Sequence, residues 1–331
     1  MAVRDGGPLL DLAIASVLGQ TVSALELVVV DDGSTDDTAD RLRSAAAQDA
    51  RVRLLSTSGL GQAPALVLGC AAASAPVLVR LDADDLARPD RLERQLVVLD
   101  LQPEVVLVGS AAEYADAGGV VFHRECPDDD DAALRQVLLD RGPPFVHSST
   151  AFRRSAYERV GGYRPIFAPA EDYDLWLRLA ELGRLRCLPE PLVTYRVRPA
   201  QLTSTMTVRM ARSALVAREV AAARFRSEPE PVLTAGLDDS VLLALGVDAG
   251  RVREEFLRLA MWWAATLRSA GDEAGAIRLW RQALGTAVLC RPRGAWAARV
   301  LRARGRSYLQ TGAPWRARRD LAVARLSGTR A

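Results

Sequence analysis

No lysine occurs in this chain of 331 residues, so all 43 of its basic residues are arginine. They face 41 acidic residues, and a formal net charge of +2 gives no reason to expect a nucleic-acid partner. Cysteine is scarce as well. Cys70, Cys126, Cys187 and Cys290 lie far apart without a C-x-x-C pair, which argues against a zinc site or a disulfide framework and fits a reducing cytoplasm. No apolar run reaches the length of a membrane span, and Met1-Ala2-Val3-Arg4-Asp5 has no signal-peptide core. Membrane contact is therefore expected to be peripheral at most, at the inner face. The first strand turn also lacks the G-x-G-x-x-G of a dinucleotide fold.

What is present reads as an α/β protein. Residues 25–30 form a β-branched run ending in Asp31-Asp32-Gly33-Ser34, and Ser34 with Asp37 predicts a capping box for a helix to about residue 47. A helix over 11–18 precedes that run. Strands over 51–56, 77–81 and 105–109 then alternate with helices over 63–73 and 89–101, the pattern of a mostly parallel sheet covered by helices. A run of four aspartates, Asp128 to Asp131, reads as a solvated loop that complements the start of a helix over 132–139. Beyond Arg198 the composition turns to Ala, Leu and Arg. Ser227-Glu228-Pro229-Glu230-Pro231 reads as a break, and helices are expected over 254–270, 272–289, 294–309 and 314–326, faintly tetratricopeptide-like. The boundaries that follow are 1–225 for the α/β domain and 226–331 for a helical domain.

Three acidic clusters carry the chemistry: Asp31-Asp32, Asp82-Ala83-Asp84-Asp85 after the strand over 77–81, and Glu171-Asp172 at the start of a later helix. In open α/β sheets ligands gather beyond the carboxyl ends of strands, so the first two clusters are expected on one rim. Such a concentration of negative charge repels itself unless a cation or a proton offsets it. Asp-x-Asp at a strand end can hold hard Mg²⁺ or Mn²⁺, with diphosphate oxygens and water filling the remaining positions. On spacing alone the same residues also serve as ordinary turn formers and helix-start acids.

Ala13-Ile14-Ala15-Ser16-Val17-Leu18-Gly19-Gln20-Thr21 and Glu26 through Thr38 resemble the opening of family-2 glycosyltransferases of the GT-A fold. Arg80-Leu81-Asp82-Ala83-Asp84-Asp85 with Pro89-Asp90-Arg91-Leu92 resembles their second motif, and Gly161-Gly162-Tyr163-Arg164 followed by Ala170-Glu171-Asp172-Tyr173-Asp174-Leu175-Trp176 their later ones. The resemblance covers roughly residues 1–200.

It implies a GT-A fold, Rossmann-like with a mostly parallel sheet, and inverting transfer of a sugar from a nucleoside diphosphate-sugar, a UDP-sugar first among donors. The acceptor would be a glycan, lipid-linked or protein hydroxyl, in the building of a cell-surface or secreted glycan. It further implies that Asp32 contacts the base with Asp31 in support, that Arg4 and His147 lie among the nucleotide-sugar contacts, and that Arg196 with Arg198 closes on the diphosphate. Asp84 would be the main ligand of Mn²⁺ or Mg²⁺, Asp82 would lie near the ribose or the cation, and Asp172 would be the catalytic base.

The chain departs from the family at three places. Only Met1-Ala2-Val3-Arg4-Asp5 remains of the family's usual first strand, which implies weaker donor binding or an upstream start. Gly59-Leu60-Gly61 replaces the usual Asn-x-Gly, and Ala65-Leu66-Val67 replaces Ala-Leu-Asn. These losses motivate an alternative, a degenerate and non-catalytic scaffold or binding protein. The Arg-rich stretch 291–325 reads as a solvated helix surface, with docking on anionic lipid as its alternative.

Overall fold

The computed structural model describes residues 1–198, 207–230, 233, 237–288, 302–304, 306, 307 and 320. Its contacts divide the chain into two units, one of Met1–Ala115, His123–Arg196 and Ala217–Val232, the other of Asp116–Phe122, Val197–Val216 and Leu233–Ala331.

In the first unit, the β-branched run becomes strand β2 (Leu27–Asp32), buried at every position, between β1 (Ala2–Val3) and β3 (Val52–Thr57). All pairings here are parallel, as the alternating pattern requires. Helices α1 (Gly7–Leu18), α2 (Thr38–Gln48) and α3 (Gln62–Ala72) are the connections. Val3, Leu10, Ile14, Leu27, Val29, Leu42 and Val52 form one core under this sheet. The capping box is not made: α2 starts later, at Thr38, and Asp37 gives no side-chain cap. Ser34 instead accepts from Asp5 N at 3.0 Å, and Asp5 Oδ1 accepts from Thr35 N at 2.7 Å, so a residue from the start of the chain closes the turn. Asp5 holds φ at 52° to do this.

A second sheet runs in the order β4 (Val77–Val79), β8 (Ala151–Arg153), β6 (Val105–Ala115), β9 (Arg184–Arg196), β5 (Leu86–Ala87), with β7 (Val121–Glu125) also on β6. Only β6 with β9 is parallel among its four pairings along this order. The antiparallel match of β4 with β8 sets Val79 opposite Ala151, which brings the turn before β8 beside the acidic loop after β4. Helices α4 (Arg91–Leu101), α5 (Asp131–Asp140), α6 (Arg154–Arg159) and α7 (Glu171–Leu182) complete the α-helices up to Arg196. The aspartate run behaves as expected of a helix start: Asp130 caps Ala133 N at 2.9 Å, and Asp129 pairs with Arg186.

Gly109 in β6 is fixed by sterics. A Cβ there would stand 2.5 Å from the ring of Phe145, which meets Trp176 of α7 edge-on at 5.1 Å. Gly109→Ala is expected to cost about 1–3 kcal/mol by overpacking, read as a lower melting temperature that Phe145→Leu partly restores in the double variant.

In the second unit, α9 (Asp239–Ala244) precedes a pair of long helices, α10 (Ala249–Ser269) and α11 (Glu273–Val288), while α8 (Thr207–Phe225) supplies its first turns to this unit. The helices expected over 254–270 and 272–289 are thus observed, with α10 starting five residues earlier because Asp248 caps Arg251 N at 2.8 Å. Those expected over 294–309 and 314–326 fall largely outside the described residues.

Candidate active site

Asp32 ends β2 opposite Thr57 of β3, and its carboxylate is saturated by local donors. Oδ1 accepts from the Thr57 hydroxyl and from Leu60 N at 2.7 Å; Oδ2 accepts from Gly61 N at 2.7 Å. Asp32 therefore anchors the loop that leads into α3. Asp31 Oδ1 accepts from Ser34 N at 3.0 Å and shapes the turn, whose Gly33 has φ 73° and has room for no Cβ, since Gly59 N would lie 2.9 Å away. Arg4 is exposed, with Nη1 3.5 Å from the place a Cβ on Gly59 would take.

The anchored loop links two of the acidic clusters. Gly61 holds Asp32, and the next residue, Gln62, donates from Nε2 to Asp82 Oδ1 at 3.3 Å. Asp82 also receives the Arg80 guanidinium, while its backbone N donates to Ser148 Oγ at 3.0 Å and that hydroxyl donates to Asp82 Oδ2 at 3.0 Å. Burial alone would raise the Asp82 carboxyl, but the Arg80 charge and these hydrogen bonds outweigh it and hold the group below its ordinary value.

Ser148 belongs to a short 3-10 turn, His147–Ser149, that leads into β8. His147 Nε2 lies 2.7 Å from Tyr163 Oη, and Nδ1 lies 4.0 Å from Asp172 Oδ2. Burial first and the Arg80 charge second push the imidazole well below its ordinary value, so His147 is neutral at pH 7. Tyr163 reaches it because Gly161 and Gly162 turn the chain at φ 79° and 68°.

Asp172 lies in the first turn of α7, its Oδ1 accepting Tyr173 N at 2.7 Å. The helix is pinned by Asp174, 1% exposed, which accepts from both Arg164 and Arg178. Burial raises Asp172 to about 6, against the Tyr173 N–H and with the help of Asp82. Glu171, beside it and 4% exposed, is raised to about 7 by burial and by Asp172. Asp82 acts on both carboxyls, so the second and third acidic clusters share one electrostatic neighbourhood.

Asp85, 1% exposed, is pushed well above its ordinary value by burial, then by Asp84 and Asp82. Its Oδ1 accepts from Arg196 N at 2.8 Å, just beyond the β5–β9 pairing, while its Oδ2 has no partner. Arg196 is 7% exposed and its Nε and Nη1 are unpartnered. Asp84 is half-buried in the same loop.

This acidic loop suits a divalent cation in one respect: carboxyls that repel one another stand around unsatisfied oxygen. Among the described residues no three His, Cys, Asp or Glu side chains are grouped as a metal cage. A site of the Mg²⁺ or Mn²⁺ kind, which keeps water and takes phosphate oxygens, needs only one or two carboxylates from the protein.

Sequence reasoning left several of these residues without a role. Arg80 pairs within its own motif, with Asp82, but Asp85, Gln62, Ser148 and Tyr163 find their partners far away in the chain, and no local pattern announces such pairings.

Comparison with known proteins identifies relatives of the chain. The family model Glycosyl transferase family 2 matches residues 1–161. The O-antigen biosynthesis glycosyltransferase WbnJ of Escherichia coli is 31% identical over 202 residues, 60% of this chain and 78% of that protein. The amylovoran biosynthesis glycosyltransferase AmsE of Erwinia amylovora is 31% identical over 194 residues, 56% of this chain and 70% of that protein. The chain spans less of some relatives, 63% of a glycosyltransferase of Haemophilus influenzae and 62% of EpsE of Bacillus subtilis.

Among solved structures, the mannosyltransferase PcManGT of Pyrobaculum calidifontis in complex with GDP-Man and Mn²⁺ superposes with a TM-score of 0.52 at 21% identity, over 99% of this chain and 85% of that one. TarS 1–349 of S. aureus in complex with UDP-GlcNAc gives 0.53 at 12% identity, over 98% and 90%. The fold is the expected GT-A fold with a helical C-terminal region. No helix among the described residues is long and apolar enough to cross a membrane. By the identity and coverage of its relatives, the chain belongs to glycosyl transferase family 2.

Proposed function

We propose that this chain transfers a sugar, with inversion, from a nucleoside diphosphate-sugar to an acceptor hydroxyl during the building of a cell-surface or secreted glycan. The observation that carries the reading is Asp172: a carboxyl about one-fifth exposed, one oxygen held by a backbone N–H and the other left toward His147. With its carboxyl raised to about 6, it is ionised at pH 7.5 yet more basic than an ordinary aspartate.

Asp172 Oδ2 takes the proton of the acceptor hydroxyl as that oxygen bonds to the anomeric carbon. The bond from this carbon to the diphosphate oxygen breaks, and the diphosphate leaves with the electron pair. Neutral His147, braced by Tyr163, shapes the wall beside the base without adding charge. The unpartnered N–H groups of Arg196 suit the departing anion. Asp32 and Asp31 order the loops on which the base and ribose would rest, and Arg4 stands at their edge. Asp84 with Asp82 would hold Mn²⁺ or Mg²⁺, which when bound offsets the charge left on the diphosphate. PcManGT and TarS, whose solved complexes hold GDP-Man and UDP-GlcNAc, support a nucleotide-sugar donor; a UDP-sugar remains our first assignment. The acceptor we assign is a glycan, lipid-linked or protein hydroxyl. We assign residues 1–225 to transfer and 226–331 to a helical domain, in a cytoplasmic protein that touches the inner membrane face peripherally.

Two measurements follow. UDP or GDP with Mn²⁺ at about 100 times Kd is expected to stabilise the chain by about 2.7 kcal/mol, read as a higher melting temperature. Asp84→Ala is expected to remove the part that depends on Mn²⁺; an unchanged melting temperature with every nucleotide would contradict the reading. In the pH dependence of kcat/KM, activity is expected to fall about tenfold per unit below the Asp172 titration near pH 6 and to be flat just above it. A rate that holds level down to pH 5 would remove Asp172 from the role of base.

A further inference from the structure

Arg80 has no part in the steps above, although it lies at the centre of the site. It follows β4, is 3% exposed, and its backbone is fixed on both sides: N donates to Thr150 O at 2.9 Å and O accepts from Arg91 Nη2 at 2.8 Å. Its Nη2 donates to Asp82. Nε and Nη1 are buried and have no hydrogen-bond partner. Orphaned donors on a buried cation are expensive, and they persist only where nearby negative charge offsets them.

That charge comes from several elements. Asp82 faces Arg80 from the loop after β4, Glu171 and Asp172 from the start of α7, and Tyr163 from the turn before α7. His147 of the 3-10 turn, Cys70 of α3, Arg91 of α4 and the Met1 amino group complete the titratable surroundings. Glu171 Oε2 is likewise buried and unpartnered. The guanidinium thus has one direct partner, and its charge acts on two further carboxyls against the burial that raises them.

We propose that Arg80 is a positioning residue for the transfer reaction, a buried countercharge that fixes Asp82 directly and is shared with the Asp172 carboxylate. The inference rests on the reading of Asp172 as the base. Two carboxylates with different tasks, one near the diphosphate and one at the acceptor, can then be negative together because one interior cation serves both.

Arg80→Met and Arg80→Lys test this against the wild-type chain. The acid limb of kcat/KM is expected to move up by about one pH unit in Arg80→Met and to return to within about 0.3 unit of wild type in Arg80→Lys. A limb that stays in place in Arg80→Met overturns the role while the transferase reading stands. Absence of transfer by the wild-type chain with every donor would instead remove that reading, and a second measurement that needs no substrate still tests Arg80. At pH 7.5, Asp172→Asn is expected to raise the melting temperature more in the Arg80→Met background than in wild type. Equal increments would mean that Arg80 serves Asp82 alone and would overturn the proposal. Should Arg80→Met fail to fold, adding Asp172→Asn is expected to restore folding, and a double variant that stays unfolded overturns the proposal equally.

Discussion

Asp172→Asn is expected to reduce sugar transfer by at least about 100-fold, the lower end of what a positioned base contributes, and at pH 7.5 to make the protein more stable. The second effect follows from the direction of the titration. The carboxyl sits near 3.8 when unfolded and about 6 when folded, so the folded state binds its proton more tightly. That contribution to stability is fully present below pH 3.8 and is lost as pH rises through 6. That rise corresponds to about 3 kcal/mol, an upper figure because the side chain is 22% exposed and interacts with Glu171. Asparagine keeps the acceptor for Tyr173 N–H and carries no charge, so the variant escapes the loss. Thermal melts at pH 4 and pH 7.5 check it: the variant is expected to melt higher only at the upper pH. A lower melting temperature at pH 7.5 would make Asp172 a structural residue.

Asp32→Ala is expected to have the opposite signature, a loss of stability at pH 7.5. Three donors, Thr57 Oγ1, Leu60 N and Gly61 N, lose their acceptor, and the carboxylate is only 4% exposed. Each donor left buried and unpaired costs about 1–3 kcal/mol, although the loop can relax toward water, so about 2–5 kcal/mol is expected in a denaturant melt. Nucleotide binding should weaken in parallel, since Gln62 and through it Asp82 hang on the same loop. A variant that melts like wild type but loses nucleotide would assign Asp32 to the base contact alone.

These two aspartates show what was legible in the sequence. The alternation of apolar runs gave the parallel sheet around β2, and strand-end acids pointed to the rim, because both depend on neighbours within a few residues. Family likeness placed Asp172 in its helix. What the pattern could not show was the price of local charge: which carboxyls would be neutralised by an arginine, a hydroxyl or a proton. Arg80 and Asp82 stand two residues apart in sequence, yet Ser148 with Asp82 and Arg196 with Asp85 are brought together by an antiparallel β4–β8 pairing and a β5–β9 pairing that an α/β alternation does not announce. The capping box failed for a related reason. The Ser34 hydroxyl accepts from Asp5 N, a donor 29 residues away in the chain, in place of a donor from its own helix. The losses at Gly59 and Ala65 to Val67, which motivated a degenerate scaffold, look different in the folded chain. Gly59 and Gly61 hold φ at 89° and 99°, a conformation that suits glycine, and the loop they form supplies backbone N–H groups to Asp32.

The most direct measurement is release of nucleoside diphosphate from a panel of UDP- and GDP-sugars with Mn²⁺ or Mg²⁺, by the wild-type chain and by Asp172→Asn and Asp84→Ala. Turnover of at least one donor by the wild-type chain, stimulated by acceptor and lost in both folded variants, is the expected result. Turnover that survives in folded Asp172→Asn or Asp84→Ala, or none by the wild-type chain with any donor, would contradict the assignment of these carboxyls to sugar transfer.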